Sequence, residues 1–315
     1  MTVTINRYSA DNKDAWDTFI ATARNGHFMF YRDYMDYHAD RFIDHSLMFY
    51  DDKKRLLALL PANTQNDRLY SHQGLTFGGL VITDKTVTEK VYDIFSALVE
   101  FLSRETIFKS IIYKRMPDIY NTYLAQEDLY LLFLLDAKLL RRDVSAAVEM
   151  IAPLSFQEMR ERKVKKAKKF GLDFSEQTNF EGYWELLEKV LQAQHNTKPV
   201  HTLGEIQRLH SKFPNNIKCY TACLDREILA GTVVYETESV AHTQYLASSV
   251  KGREVGALDF VINNLIRNVY KEKKYFDFGI STEEEGRILN RGLIAQKEGF
   301  GARAVMHDFY EIKIT

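Results

Sequence analysis

The stretch Ala241-His-Thr-Gln-Tyr-Leu246 sets two polar residues, His242 and Gln244, two apart in an apolar run. Residues two apart in a strand lie on one face, so the pair would floor a cleft. A histidine titrates near pH ~6.5, which suits a general base for an ammonium acceptor. A satisfied buried histidine is the plainer alternative. Tyr245 points to the other face, as core or as the acid for a leaving group. Downstream, Asp277 and Gly279 end a predicted strand, and Ser281, Thr282 and Glu283 follow it. Side chains at a strand's exit often line clefts. Asp277 and Ser281 therefore join Gln244 as candidate binding residues. Glu283 is a second candidate base, although a Glu-Glu-Glu run is more often solvated. Asn290 opens the next helix and could orient a substrate. His201, in the polar run Lys198-Pro-Val-His201-Thr202 just after Gln194-His195, could share an acceptor pocket with Tyr31, Arg32 and His72-Gln73.

A different chemistry is readable in Arg253-Glu254-Val255-Gly256-Ala257. A Gly-containing turn between a strand and a helix exposes successive backbone N–H groups, and the helix dipole adds partial positive charge. Such a place suits a pyrophosphate. Its context, after an antiparallel strand, argues against a dinucleotide site, whose G-x-G-x-x-G follows a parallel strand. The chain has no Walker A sequence, no G-x-S-x-G elbow and no H-E-x-x-H. P-loop, serine-hydrolase and zinc-protease chemistries are excluded on that ground. No metal site is expected.

Strand and helix periods place these residues on a repeated frame. Leu47–Tyr50 and Leu56–Ala62 form a hairpin, Arg68–His72 is a third strand, a Gly-containing loop follows, Val87–Ser103 is a helix and Lys109–Lys114 a strand. The same order recurs as Ile217–Leu224, Ile228–Glu236, Val240–Ser248, the polar Gly loop Val250–Gly256, the helix Ala257–Tyr270 and the strand Tyr275–Ile280. Between the copies, Tyr130–Leu140 reads as a buried strand and Ser155–Gly171 as a helix. Arg160-Glu-Arg-Lys-Val-Lys-Lys-Ala-Lys-Lys169 holds seven basic residues in ten. Met159, Val164, Ala167 and Phe170 would dock this helix and turn its lysines outward. The lysine face is either solvated or a contact for phosphates or an RNA backbone.

The duplicated unit resembles the GNAT acyltransferase fold, and the whole chain resembles the FemAB-like double-GNAT branch. The carriers are Tyr275-Phe-Asp-Phe-Gly279, then Gly292-Leu-Ile, then Lys297-Glu-Gly-Phe300-Gly301, and Arg253-x-x-Gly256 within the pattern Q/R-x-x-G-x-G/A, where Leu258 replaces the last small residue. The resemblance implies an α/β (α+β) fold of two GNAT-like domains, 1–140 and 141–315, each a mixed, mostly antiparallel sheet flanked by helices. It implies acyl transfer from acetyl-CoA or another acyl-CoA to an amine, with 253–257 as the donor loop. The amine would be a small-molecule or carrier-linked acceptor, with an amino sugar of surface polysaccharide or cell-envelope synthesis as the leading form. The resemblance assigns Lys297 to electrostatic stabilisation of the transition state. Strand N–H groups near Tyr245–Ser248 would polarise the thioester carbonyl. An aminoacyl-tRNA-dependent ligase and a non-catalytic double-GNAT scaffold are the rival readings.

The 315 residues suffice for two domains. Their charge nearly cancels, 42 Lys+Arg against 43 Asp+Glu, which excludes a surface built wholly for nucleic acid or anionic membrane. Cys219 and Cys223, four apart in a predicted strand, would sit about 13 Å apart, too far for a disulfide. With a polar N-terminus and no long apolar run, the expectation is a cytoplasmic protein without a membrane span.

Overall fold

The computed structural model describes residues 2–314, apart from the side chain of His195. The chain divides into two compact units. Unit 1 holds residues up to Asp143, Glu283–Ile288, and the chain from Met306 on. Unit 2 holds Val144–Thr282 and Leu289–Val305. Each is a mixed, mostly antiparallel α/β unit flanked by helices.

The sheet of unit 2 runs, in spatial order, Asp173–Gln177, Ile217–Leu224, Glu227–Glu236, Val240–Ser248, Tyr275–Ile280 and the end of Lys138–Glu149. Glu227–Glu236 is almost continuously buried because helices cover both faces of the sheet. All neighbours are antiparallel except the fourth and fifth strands. These run parallel for three pairs only, Val240↔Tyr275, Ala241↔Phe276 and His242↔Asp277, and then part. Two local features explain the parting. Gln244 is the extra residue of a bulge, since Val233 faces Tyr245 while Val234 faces Thr243. Gly279 has φ +74, a conformation that side chains disfavour, and a Cβ there would meet His242 Cε1 at 3.1 Å.

The same parallel pairing occurs in unit 1, where Arg68–Tyr70 lies beside Ser110–Lys114. The repeated order of elements is thus real, but the pairing differs. In unit 1 the hairpin strands Leu47–Tyr50 and Leu56–Leu60 belong to a separate four-stranded sheet with Thr4–Arg7 and Val81–Ile82. The parting of the parallel strands is also filled in unit 1. Lys114 Nζ donates to the carbonyls of His72 at 2.9 Å, Gln73 at 3.2 Å and Leu75 at 2.6 Å. Burial, helped by the charge of Arg141, pushes this amine down to about 7.

Three expectations about local structure need correction. The apolar run at 130–135 is not a strand but part of the helix Glu127–Leu134. Leu131 and Leu132 face the core while Tyr130, Phe133 and Leu134 are exposed, so a run apolar on every side imitated a buried strand. The strand begins later, at Lys138. The 250–256 loop is instead the short helix Val250–Val255, ended by Gly256 at φ +83. The basic helix, Glu158–Lys169, docks through Arg160, Val164 and Ala167, whereas Met159 and Phe170 are exposed. Cys219 is buried and Cys223 half-buried, both as free thiols, on either side of a register shift.

Unit 1 buries His38, His45 and His72, and burial lowers the pKa of each. The folded unit keeps these rings neutral, while the unfolded chain protonates them near pH ~6.5. Their contribution to stability is therefore complete above that value and is lost as pH falls through the depressed folded values. Urea midpoints should drop markedly between about pH 7.5 and about pH 5, with up to ~1.4 kcal/mol per pH unit from each ring. A flat profile would contradict the neutral burial of these rings.

Candidate active site

The parting strands of unit 2 bring together residues that sequence reasoning had only placed separately. His242 Nδ1 lies 2.8 Å from Asp277 Oδ2. Asp277 is fully buried, and its other oxygen accepts from Ser145 Oγ at 2.6 Å and from the Gly279 N–H at 3.2 Å. A carboxylate with these donors only accepts, so the bridging proton belongs to His242 Nδ1. The second ring nitrogen, Nε2, is then the basic one. Asp277 is thus the partner that orients His242, rather than a group on the cleft wall. Ser145 was missed because nothing in Val144-Ser-Ala-Ala distinguishes it from any strand serine.

Lys297 comes from the helix Arg291–Glu298 and is buried. Its Nζ donates to the carbonyls of Gly279 at 2.8 Å and Ile280 at 2.7 Å. Burial lowers its pKa to about 8, against an opposing pull from Asp277. The amine therefore braces the bend that separates the two strands and carries positive charge at that point. Ser281 lies beside it, buried, with an Oγ that has no partner among the described residues. Asn290 caps the same helix, its Oδ1 accepting from Leu293 N–H at 3.0 Å, so its side chain serves the helix start.

On the other side of the strand, Tyr245 packs edge-on against Trp184 at 5.3 Å. Its hydroxyl lies 2.5 Å from His201 Nδ1 and accepts the His201 backbone N–H at 3.3 Å. This latch ties the segment before the capping box Thr202–Glu205 to the floor strand. Tyr245→Phe should lower stability by about 1 to 3 kcal/mol, because the buried His201 loses the hydroxyl that meets both its ring nitrogen and its backbone N–H. It should also speed amide exchange over 197–203, and unaltered exchange there would discount the latch. The Gln244 Oε1 is buried without a partner among the described residues, and the bulge frees this side chain from strict alternation.

The remaining candidates fall elsewhere. Glu283 is exposed and belongs to the 283–288 segment of unit 1. Glu254 is exposed, whereas Val255, Gly256 and Ala257 are buried. Arg253 donates to the Ser248 carbonyl at 2.9 Å. Among the described residues no cluster of His, Cys, Asp and Glu could hold a metal ion. No helix there is long and apolar enough to cross a membrane.

A family model described as acetyltransferase (GNAT) domain matches residues 157–285. Over 97% of this chain and 96% of the other, the fold is similar to FemX, with TM-score 0.68 and 10% identity. It is similar to L-PGS from Bacillus licheniformis over 98% and 93%, with TM-score 0.60 and 11% identity. A tandem GNAT protein from the clavulanic acid biosynthesis pathway matches over 99% of both chains, with TM-score 0.53 and 9% identity. No curated protein sequence matches the chain.

Proposed function

We propose that this chain is a FemAB-like GNAT acyltransferase and that unit 2, whose residues 157–285 match the GNAT domain model, moves an acyl group from a thioester such as acetyl-CoA to an amine. The observation that carries the reading is the buried Asp277–His242 pair at the point where the parallel strands part. There the two strands no longer pair with each other, which leaves room for a carbonyl oxygen to accept from strand N–H groups, the usual need of acyl transfer. His242 Nε2 takes the proton of the attacking amine. The C–N bond forms, the C–S bond breaks, and the thiolate leaves with the electron pair. Lys297 keeps the bend open and supplies positive charge near the developing anion. Ser281 and Gln244, each with an unpaired buried oxygen, are the side chains best suited to hold the acceptor.

A carrier-linked amino sugar is the acceptor this reading favours. The test measures thiol release from millimolar acetyl-CoA with nucleotide- and lipid-linked amino sugars, against simple amines. Release with none of them would dismiss the activity. A second reading, transfer from aminoacyl-tRNA, is favoured by one observation. Arg162, Lys165, Lys166, Lys168 and Lys169 are all exposed on the outer face of the basic helix. That reading requires tRNA binding that weakens steeply with salt and disappears when the four lysines are reversed to Glu.

A further inference from the structure

The Gly256 end of the segment expected to grip a donor diphosphate is occupied by the protein itself, while the Arg253 and Glu254 side chains are exposed. A Cβ on Gly256 would lie 2.6 Å from the Lys163 carbonyl, so the basic helix sits directly on this glycine. Ala257 has no exposure at all. The Gly256 N–H is spent on the Gly252 carbonyl at 3.0 Å, and the Arg253 N–H on that of Ser249. The first turn of Ala257–Asn264 already has its anion: Asp259, buried, bound to Arg160 at 2.9 Å with Lys163 at 3.9 Å. A carboxylate in that turn takes the favourable end of the helix dipole. Arg160 in turn lies over the Phe300 ring, 5.1 Å from its centroid. A diphosphate would have to displace a packed helix and meet a buried carboxylate.

We propose that residues 253–257 are the joint that locks the basic helix to the rest of unit 2, and that the donor is held through its acyl-thioester end, its nucleotide contributing no binding. The inference rests on the thioester reading above and narrows its donor class to acyl-pantetheine thioesters, with or without a nucleotide. It predicts that the enzyme does not distinguish acetyl-CoA from S-acetylpantetheine.

The experiment compares the two donors at one acceptor and follows amide exchange of the whole chain with and without CoA. The expected result is kcat/KM within about fivefold for the two donors, with no added protection over 252–259. Anchorage of a diphosphate by several charge-assisted bonds would instead cost the truncated donor about a hundredfold or more. That loss, or CoA-dependent protection over 252–259, would overturn the proposal. If neither thioester is turned over, the acyltransfer reading fails by itself. Exchange then still bears on the joint: CoA-dependent protection over 252–259 refutes it, while the claim about the donor's acyl-thioester end falls with the activity.

Discussion

Replacing His242 with asparagine should lower kcat by about two to four orders of magnitude while the protein stays folded. Asparagine can keep a hydrogen bond to Asp277, so the strand pairing at His242↔Asp277 survives, but it cannot accept a proton from an amine. Asp277→Asn should cost as much by a different route. An amide beside Nδ1 can donate to it, which favours the tautomer with the proton on Nε2 and leaves no base facing the acceptor. Ser145→Ala removes one of the donors to Asp277 and should act more weakly, near tenfold or about 1.4 kcal/mol. The pH dependence distinguishes these effects from simple damage. A histidine base gives kcat/KM an acidic limb, which His242→Asn should abolish and Ser145→Ala should preserve. If His242→Asn retains the parent rate and the acidic limb, proton removal belongs to another group. Glu283, exposed in the other unit, would then be the next residue to replace.

The residues of this pair were legible one at a time. His242 was visible as a polar residue in an apolar strand, and Asp277 as the acid of Asp-Phe-Gly. Their contact was not, because it depends on a parallel pairing between strands 35 positions apart. The bulge at Gln244 was equally hidden, since a bulge is a property of two strands in register and leaves no mark on one. The repeat was legible because hairpins, loops and helices follow from local periodicity. The division of unit 1 into two sheets was not, and neither was the filling of its strand gap by Lys114, a lysine like any other in sequence. At 130–135 local pattern misled, because a helix apolar on all sides has no period to read. The basic helix divided the same way. Its charge was plain, but the one arginine that turns inward could be found only through Asp259.

That inward arginine supports the second large prediction. Arg160→Ala should destabilise the protein by about 3 to 5 kcal/mol, because Asp259 then stays buried with only Lys163, 3.9 Å away, to answer it. Arg160→Lys should recover only part of the loss, since a point charge on a flexible stem cannot both meet Asp259 and stack on Phe300. Asp259→Asn removes the buried charge but leaves Arg160 without its counter-ion, so it should also cost several kcal/mol. The two losses should not add. Arg160→Met combined with Asp259→Leu replaces an ion pair by apolar contacts and should lie much closer to the parent than either single change. Urea unfolding of the parent, Arg160→Met, Asp259→Leu and the double variant completes the cycle. A loss below ~0.5 kcal/mol for Arg160→Ala would mean that the helix is held chiefly by Val164, Ala167 and the Glu161–Arg267 ion pair. A large loss carries a consequence for the basic face as well. The exposed lysines owe part of their fixed position to this buried contact. Arg160→Ala should therefore raise amide exchange across Glu158–Lys169 and at Gly256 together, as expected of a joint that holds both.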